Sequence, residues 1–162
     1  MKLIAIDPSG NHGKEGYGTT GYCVFKDGEP VELGEILAED YDGEEGYWLA
    51  HIGLIVREKP DIVVCEGYKL YHHKGMPAQT QAHSTLQTPQ LIGAIKMWCY
   101  FSGIPIHIQF ASEVKNRWND DLLARQGILE KRGKRYYFRG EPTNNHKRDA
   151  LRHGIHYLRY KR

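Results

Sequence analysis

Asp61-Ile62-Val63-Val64-Cys65-Glu66 is a run of four apolar residues with an acid at each end. Continuous β-branched character of this length reads as a strand buried on both faces. A helical stretch at 44–59 precedes it, with Trp48, Ile52, Ile55 and Val56 at helical spacing, and stops before Pro60. A strand reached through a helix enters its sheet parallel to an earlier strand. That earlier strand is Leu3-Ile4-Ala5-Ile6-Asp7, which also ends on an acid. Between the two lie a Gly-rich polar segment at 8–20, a strand at 21–25, an Asp27-Gly28 turn and a strand at 31–37. The first three strands therefore form an antiparallel meander, and the fourth joins the first in a mixed sheet.

Beyond Glu66, the polar segment 67–81 reads as a long loop, and it contains His72 and His73. A second helix is expected at 86–101, a fifth strand at 104–110, and a short helix through Val114 with Ser112 as its cap. Another helical piece covers 119–126. The stretch 133–140 alternates basic and aromatic residues between two glycines and reads as a surface strand or hairpin, and a last helix runs from 146 to 160. The whole of 1–162 is thus expected to be one α/β domain, a five-stranded mixed sheet flanked by helices.

Net charge is only +2, but its distribution is lopsided. Residues 1–114 carry 8 Lys and Arg against 15 Asp and Glu, a net −7, whereas residues 115–162 carry 14 against 5, a net +9. A basic third of this kind suits a polyanion, with nucleic acid the leading candidate; the alternative is a solvated basic helix and hairpin. No apolar stretch approaches the roughly 20 residues of a membrane span, and the amino terminus lacks a secretory pattern, so a cytoplasmic protein is expected. Cys23, Cys65 and Cys99 are odd in number and set among apolar residues, consistent with free buried thiols in a reducing compartment.

Chemistry concentrates at the strand ends. Asp7 and Glu66 close two parallel neighbours, where residues line one crevice. His146 and Asp149 stand at i and i+3 in the last helix, with His153 at i+7, on one stripe, while Leu151, Ile155 and Leu158 form a core stripe. Acids crowded into one site need a cation. Carboxylate oxygens suit Mg²⁺ or Mn²⁺, and two such ions about 3.5 to 4 Å apart would serve phosphodiester hydrolysis. His72, His73 and His83 fit no regular zinc spacing.

The order of these elements, together with Ile6-Asp7-Pro8-Ser9-Gly10, the Glu66 strand, Ala111-Ser112-Glu113-Val114-Lys115 and His146-Lys147-Arg148-Asp149-Ala150, resembles the RuvC-like Holliday junction resolvases of the RNase H-like superfamily. The resemblance implies an RNase H-like fold and a metal-dependent crossover junction endodeoxyribonuclease. In it Asp7, Glu66, His146 and Asp149 would be both the catalytic and the metal-binding residues, with two Mg²⁺ per site and Mn²⁺ as substitute. Lys115 would approach the scissile phosphate, and Tyr68 or Tyr71 would be the aromatic placed near the junction centre. It further implies a homodimer on branched DNA, with the helix at 86–101 at the interface. On charge, Lys134, Arg135, Arg139 and Lys147 are expected to contact DNA. Thr85-Leu86-Gln87-Thr88-Pro89-Gln90-Leu91 lacks the Gly-Gln-Ala-Arg pattern of the bacterial enzymes, and the basic aromatic stretch is an addition, so a diverged phage-type member acting in host cytoplasm is the nearer likeness. Alternatives are a nuclease for RNA/DNA hybrid or duplex DNA, and a branched-DNA-binding protein without turnover. The actin-like phosphotransferases, faintly suggested by Thr19-Thr20-Gly21, need two such domains.

Overall fold

A computed structural model describes residues 1–69 and 86–162. The sheet contains β1 (Lys2–Asp7), β2 (Thr19–Lys26), β3 (Glu29–Leu37), β4 (Ile62–Glu66) and β5 (Ile106–Gln109) in the order β3-β2-β1-β4-β5. β1–β2 and β2–β3 are antiparallel, while β1–β4 and β4–β5 are parallel. This is the mixed sheet expected from sequence. The helices are α1 (Glu44–Glu58), α2 (Gln87–Ser102), the short α3 (Ala111–Val114) and α4 (Asp120–Arg125), and α5 (Asn145–Tyr160). The basic stretch is larger than a hairpin: β6 (Glu130–Arg132), β7 (Arg135–Phe138) and β8 (Glu141–Pro142) form a separate three-stranded sheet.

Period-two alternation splits the core into two layers. Ile4, Ile6 and Val63 face α1 and α2 on one side, together with Leu54, Ile55, Leu91 and Ile95. Leu3, Ala5, Cys23, Phe25 and Val64 face α5 and the α3–α4 region on the other, with Trp118, Leu123, Ala150 and Leu151. Asp7 and Glu66 share the parity of Ala5 and Val64, so both acids emerge on the α5 side. All three cysteines are buried and free. Among the described residues no helix is long and apolar enough to cross a membrane.

Two local expectations are corrected. The buried stripe of α1 is Tyr47, His51, Leu54 and Ile55, and Val56 is half exposed. A histidine and a tyrosine displace the aliphatic stripe because their polar atoms are satisfied inside. Ser112 does not cap α3; that helix is capped at Phe110, whose N–H donates to the Glu113 carboxylate at 2.8 Å.

The buried polar atoms of α1 hold the segment after β1. His51 Nδ1–H donates to the Tyr47 carbonyl at 2.8 Å, so its Nε2 accepts from the Thr20 hydroxyl at 2.8 Å. Thr20 Oγ1 accepts the Ser9 N–H at 3.1 Å, and the Tyr47 hydroxyl donates to the Ser9 carbonyl at 2.5 Å. Further along the segment, Gly10 N–H donates to Thr88 Oγ1 at 2.9 Å, and His12 N–H donates to Gln87 Oε1 at 3.0 Å. The polar loop that follows Asp7 is thus pinned to α1 and to the first turn of α2.

Burial lowers the His51 pKa to about 4, so the ring stays neutral where an unfolded histidine would already be charged. The unfolded chain binds the extra proton between pH 6.5 and about 4, and stability therefore falls as pH falls through that window. The His51 contribution amounts to on the order of 3 kcal/mol over the full window. Urea unfolding between pH 7 and 4 is expected to show this slope in the wild type, with a flatter one in His51→Gln.

Candidate functional site

The parallel register pairs Ile6 with Cys65, so the next residues, Asp7 and Glu66, end adjacent strands side by side. Asp7 is paired across β2 with Gly21. A Cβ on Gly21 would lie 2.1 Å from the His146 carbonyl oxygen and 2.6 Å from the Lys147 nitrogen, closer than any side chain tolerates. The first turn of α5 therefore rests directly on β2, beside Asp7. Gly154 repeats the device two turns later, where a Cβ would meet the Phe25 ring at 2.1 Å. Asn144 caps the helix by accepting the Lys147 N–H at 2.9 Å, and its amide reaches Glu35 on β3.

The other three acid and histidine candidates, Glu66, His146 and Asp149, sit in one electrostatic neighbourhood around the buried Asp7. His146 Nδ1–H donates to Asp7 Oδ2 at 3.3 Å. Burial, and after it the charges of Glu66 and Asp149, raise the Asp7 carboxyl above its ordinary value, against the lowering effect of the His146 bond. The same hydrogen bond to Asp7 raises the His146 pKa. Asp149 is gripped on both oxygens, by Arg152 at 2.7 Å and by Lys115 at 3.3 Å. Burial alone would lower the Lys115 pKa, but Asp149 first, then Glu66 and Asp7, raise it. Arg152 reaches on to Asp120, which also meets Arg148 Nε at 3.1 Å. Glu66 Oε2 accepts from His153 Nε2 at 2.7 Å.

His153 was expected on the ligand stripe with His146 and Asp149; it is instead completely buried behind Glu66. Arg152, a buried partner of Asp149 and Asp120, and Gln109, a buried partner of His153, were not singled out in the sequence. Their signal in the sequence is weak, because an Arg three residues after an Asp in a helix is usually a surface pair.

Among the described residues no group of three or more His, Cys, Asp or Glu forms a ready metal cluster. Each acid is turned onto a protein donor. The donor chemistry nevertheless fits a hard divalent cation: two carboxylates press on a third, buried one whose ionised form they disfavour, and such a cation would relieve that repulsion through oxygen ligands.

A cleft of about 490 Å³ opens beside Glu66, lined by Tyr68, Lys69, Ser112, Lys115 and Asn116. Tyr68 is exposed there, while Tyr71, His72, His73 and His83 lie outside the described residues. In the small sheet, Lys134 and Arg135 are exposed and make no ion pair among the described residues. Lys131 pairs with Asp121, and Arg132 with Glu130. Arg139 donates to the backbone carbonyls of Pro30 and Val31, at 3.2 and 3.3 Å, fastening the small sheet to β3. Lys147 lines a groove with those same elements.

Set beside solved structures, the chain superposes on T. thermophilus RuvC in complex with a Holliday junction substrate, with a TM-score of 0.67 over 99% of this chain and 94% of that one. The fold is RuvC-like. A second T. thermophilus RuvC structure gives a TM-score of 0.61, covering 98% and 94% of the two chains. Identities are 16% and 17%, so the likeness is one of architecture. No family model matches the sequence, and no curated protein matches it. The RuvC-like architecture matches the order of elements expected from sequence.

Because Gly21 admits the helix, Gly21→Ala is expected to lift the first turn of α5 away from Asp7 and to destabilise the chain by about 1–3 kcal/mol in urea unfolding. In the same variant the His146 pKa, followed by NMR, should fall toward its ordinary value, since the raising hydrogen bond lengthens.

Proposed function

We propose that the chain is a metal-dependent endonuclease that resolves four-way and other branched DNA by phosphodiester hydrolysis. The observation carrying this reading is the convergence of Asp7, Glu66, His146 and Asp149 at one end of a RuvC-like sheet, with a basic carboxy-terminal third alongside. The junction enters as substrate because the protein whose fold this chain shares was solved with one.

Asp7, between Glu66 and the first turn of α5, would hold divalent cations together with Glu66 and Asp149. Bound there, such ions would supply an activated water and stabilise the leaving oxygen. His146, tied to Asp7, would ligate or orient the attacking water. Lys115 and Lys69 face the cleft beside Glu66, where they would hold phosphates flanking the cut. Tyr68 at the same cleft offers a ring for an unpaired base. Lys134 and Arg135, which make no ion pair among the described residues, and Lys147 would carry the flanking duplex. Arg139 is given a fastening role, since its guanidinium is engaged by β3.

Two sites are needed for symmetric nicks, and the α1–α2 face supports a homodimer. Leu49, Met97, Trp98 and Phe101 are exposed there and line an almost wholly apolar groove. A surface of this composition is typical of a covered one. Cleavage of RNA/DNA hybrid or of plain duplex would instead identify a different nuclease on the same acids.

Asp7→Asn is expected to reduce nicking of a labelled four-way junction in Mg²⁺ by at least about 10³-fold, while junction binding in a gel shift is kept or improved. Paired symmetric nicks by the wild type, lost with chelator, support the reading; cutting by Asp7→Asn at the wild-type rate overturns it. Replacing Lys134 and Arg135 together by Ala is expected to weaken junction binding across sequences and to lower the slope of log K against log salt by about 1 to 2. An unchanged slope would turn the small sheet away from the DNA.

A further inference from the structure

Gln109 and Glu66 are direct partners in the β4–β5 register, so their side chains project from the same face of the sheet, toward α5. His153 of α5 fills the space against both, with its side chain completely buried. Its Nε2 lies 2.7 Å from Glu66 Oε2. From the other side, Gln109 Nε2 donates to the His153 backbone carbonyl at 2.7 Å and stands 2.9 Å from the ring Nδ1. The direction of that amide is fixed. Reversed, it would set Oε1 against a carbonyl oxygen at the same short distance, and two acceptors would be in contact. With an N–H facing it, Nδ1 accepts, so the ring proton resides on Nε2 and is donated to Glu66.

The arrangement carries a penalty. Gln109 Oε1 is buried with no hydrogen-bond partner among the described residues, a loss that an apolar side chain of similar volume would avoid. An amide retained under that penalty, one residue across the sheet from a strand-end carboxylate, points to a task for its two N–H groups. Glu66 has three side-chain torsions and a nearby competitor in Lys115, on which its charge acts. Its Oε1 makes no hydrogen bond among the described residues.

We propose that Gln109 and His153 are positioning residues for Glu66: Gln109 locks the imidazole, the imidazole holds Oε2, and Oε1 is left to serve a divalent cation. The proposal rests on the reading of Glu66 as a cation ligand. Partners one step behind a metal ligand commonly set affinity by about 10- to 100-fold.

The test is Mn²⁺ binding to the full chain without DNA, read from the EPR signal of free Mn²⁺, for wild type, Glu66→Gln, His153→Asn, His153→Gln and Gln109→Met. A glutamine at 153 sets its amide nitrogen near the place of Nε2, whereas asparagine reaches only as far as Nδ1, so the two separate a donor to Glu66 from mere bulk. His153→Asn is expected to weaken binding about 10- to 100-fold, as Glu66→Gln does, with His153→Gln close to wild type and Gln109→Met between them. Junction nicking should follow the same order. Wild-type affinity in both His153→Asn and Gln109→Met, with Glu66→Gln still impaired, overturns the positioning role and leaves the nuclease reading standing. If the wild type binds no Mn²⁺ and cuts no junction, both fall together. Should His153→Asn melt at the assay temperature, Gln109→Met decides alone, since it leaves the imidazole in place, and unchanged affinity there overturns the proposal.

Discussion

Everything at the strand ends depends on one missing side chain. Gly21 pairs with Asp7 across β1–β2, and the space its Cβ would occupy is taken by the backbone of His146 and Lys147. A helix normally packs about 10 Å from a sheet, held off by side chains from both layers. Here contact is backbone on backbone, which carries the His146 ring to the carboxylate of Asp7 rather than past it. Gly154 keeps the rest of α5 at the same depth by admitting the Phe25 ring. The acids are then neighbours because of strand register, and the helix joins them because two glycines let it descend.

The second constraint is electrostatic. Two carboxylates act on a third that is buried, and the structure answers with a protein partner or pair of partners for each: His146 for Asp7, His153 for Glu66, Arg152 and Lys115 for Asp149. Breaking a buried pair on one side leaves an uncompensated charge, so these partners are as constrained as the acids. Asp120 extends the system by anchoring both Arg148 and Arg152, which ties α4 to α5. The charge asymmetry along the sequence is thus partly internal bookkeeping of this kind, and only a subset of the basic residues is free for a polyanion.

The sheet was legible because its signals are one-dimensional. An apolar run after a helix and before an acid dictates a parallel strand, and Asp27-Gly28 dictates a hairpin; both are present. The convergence of Asp7 with Glu66 followed from topology alone. What could not be read were identities that depend on the third dimension. His51 and Tyr47 look like surface breaks in an aliphatic stripe until Thr20 and Ser9 are seen to receive their polar atoms. His153 shares a helical face with His146 and Asp149, yet a sheet edge lies over it, and periodicity does not say how deep a face sinks. Gln109 at the end of a short strand carries no pattern whatever. Arg139 counted as a free cation only because the carbonyls that receive it are more than a hundred residues away in the chain.

That last contact reaches beyond the site. β3 is an outer strand of the five-stranded sheet, and outer strands offer unpaired backbone groups to any passing chain. Pro30 has no N–H to offer, and its carbonyl, with that of Val31, is already taken by the Arg139 guanidinium. The small basic sheet therefore occupies two backbone acceptors near the start of β3. At that end of β3 an incoming strand would have to displace the Arg139 guanidinium before it could pair.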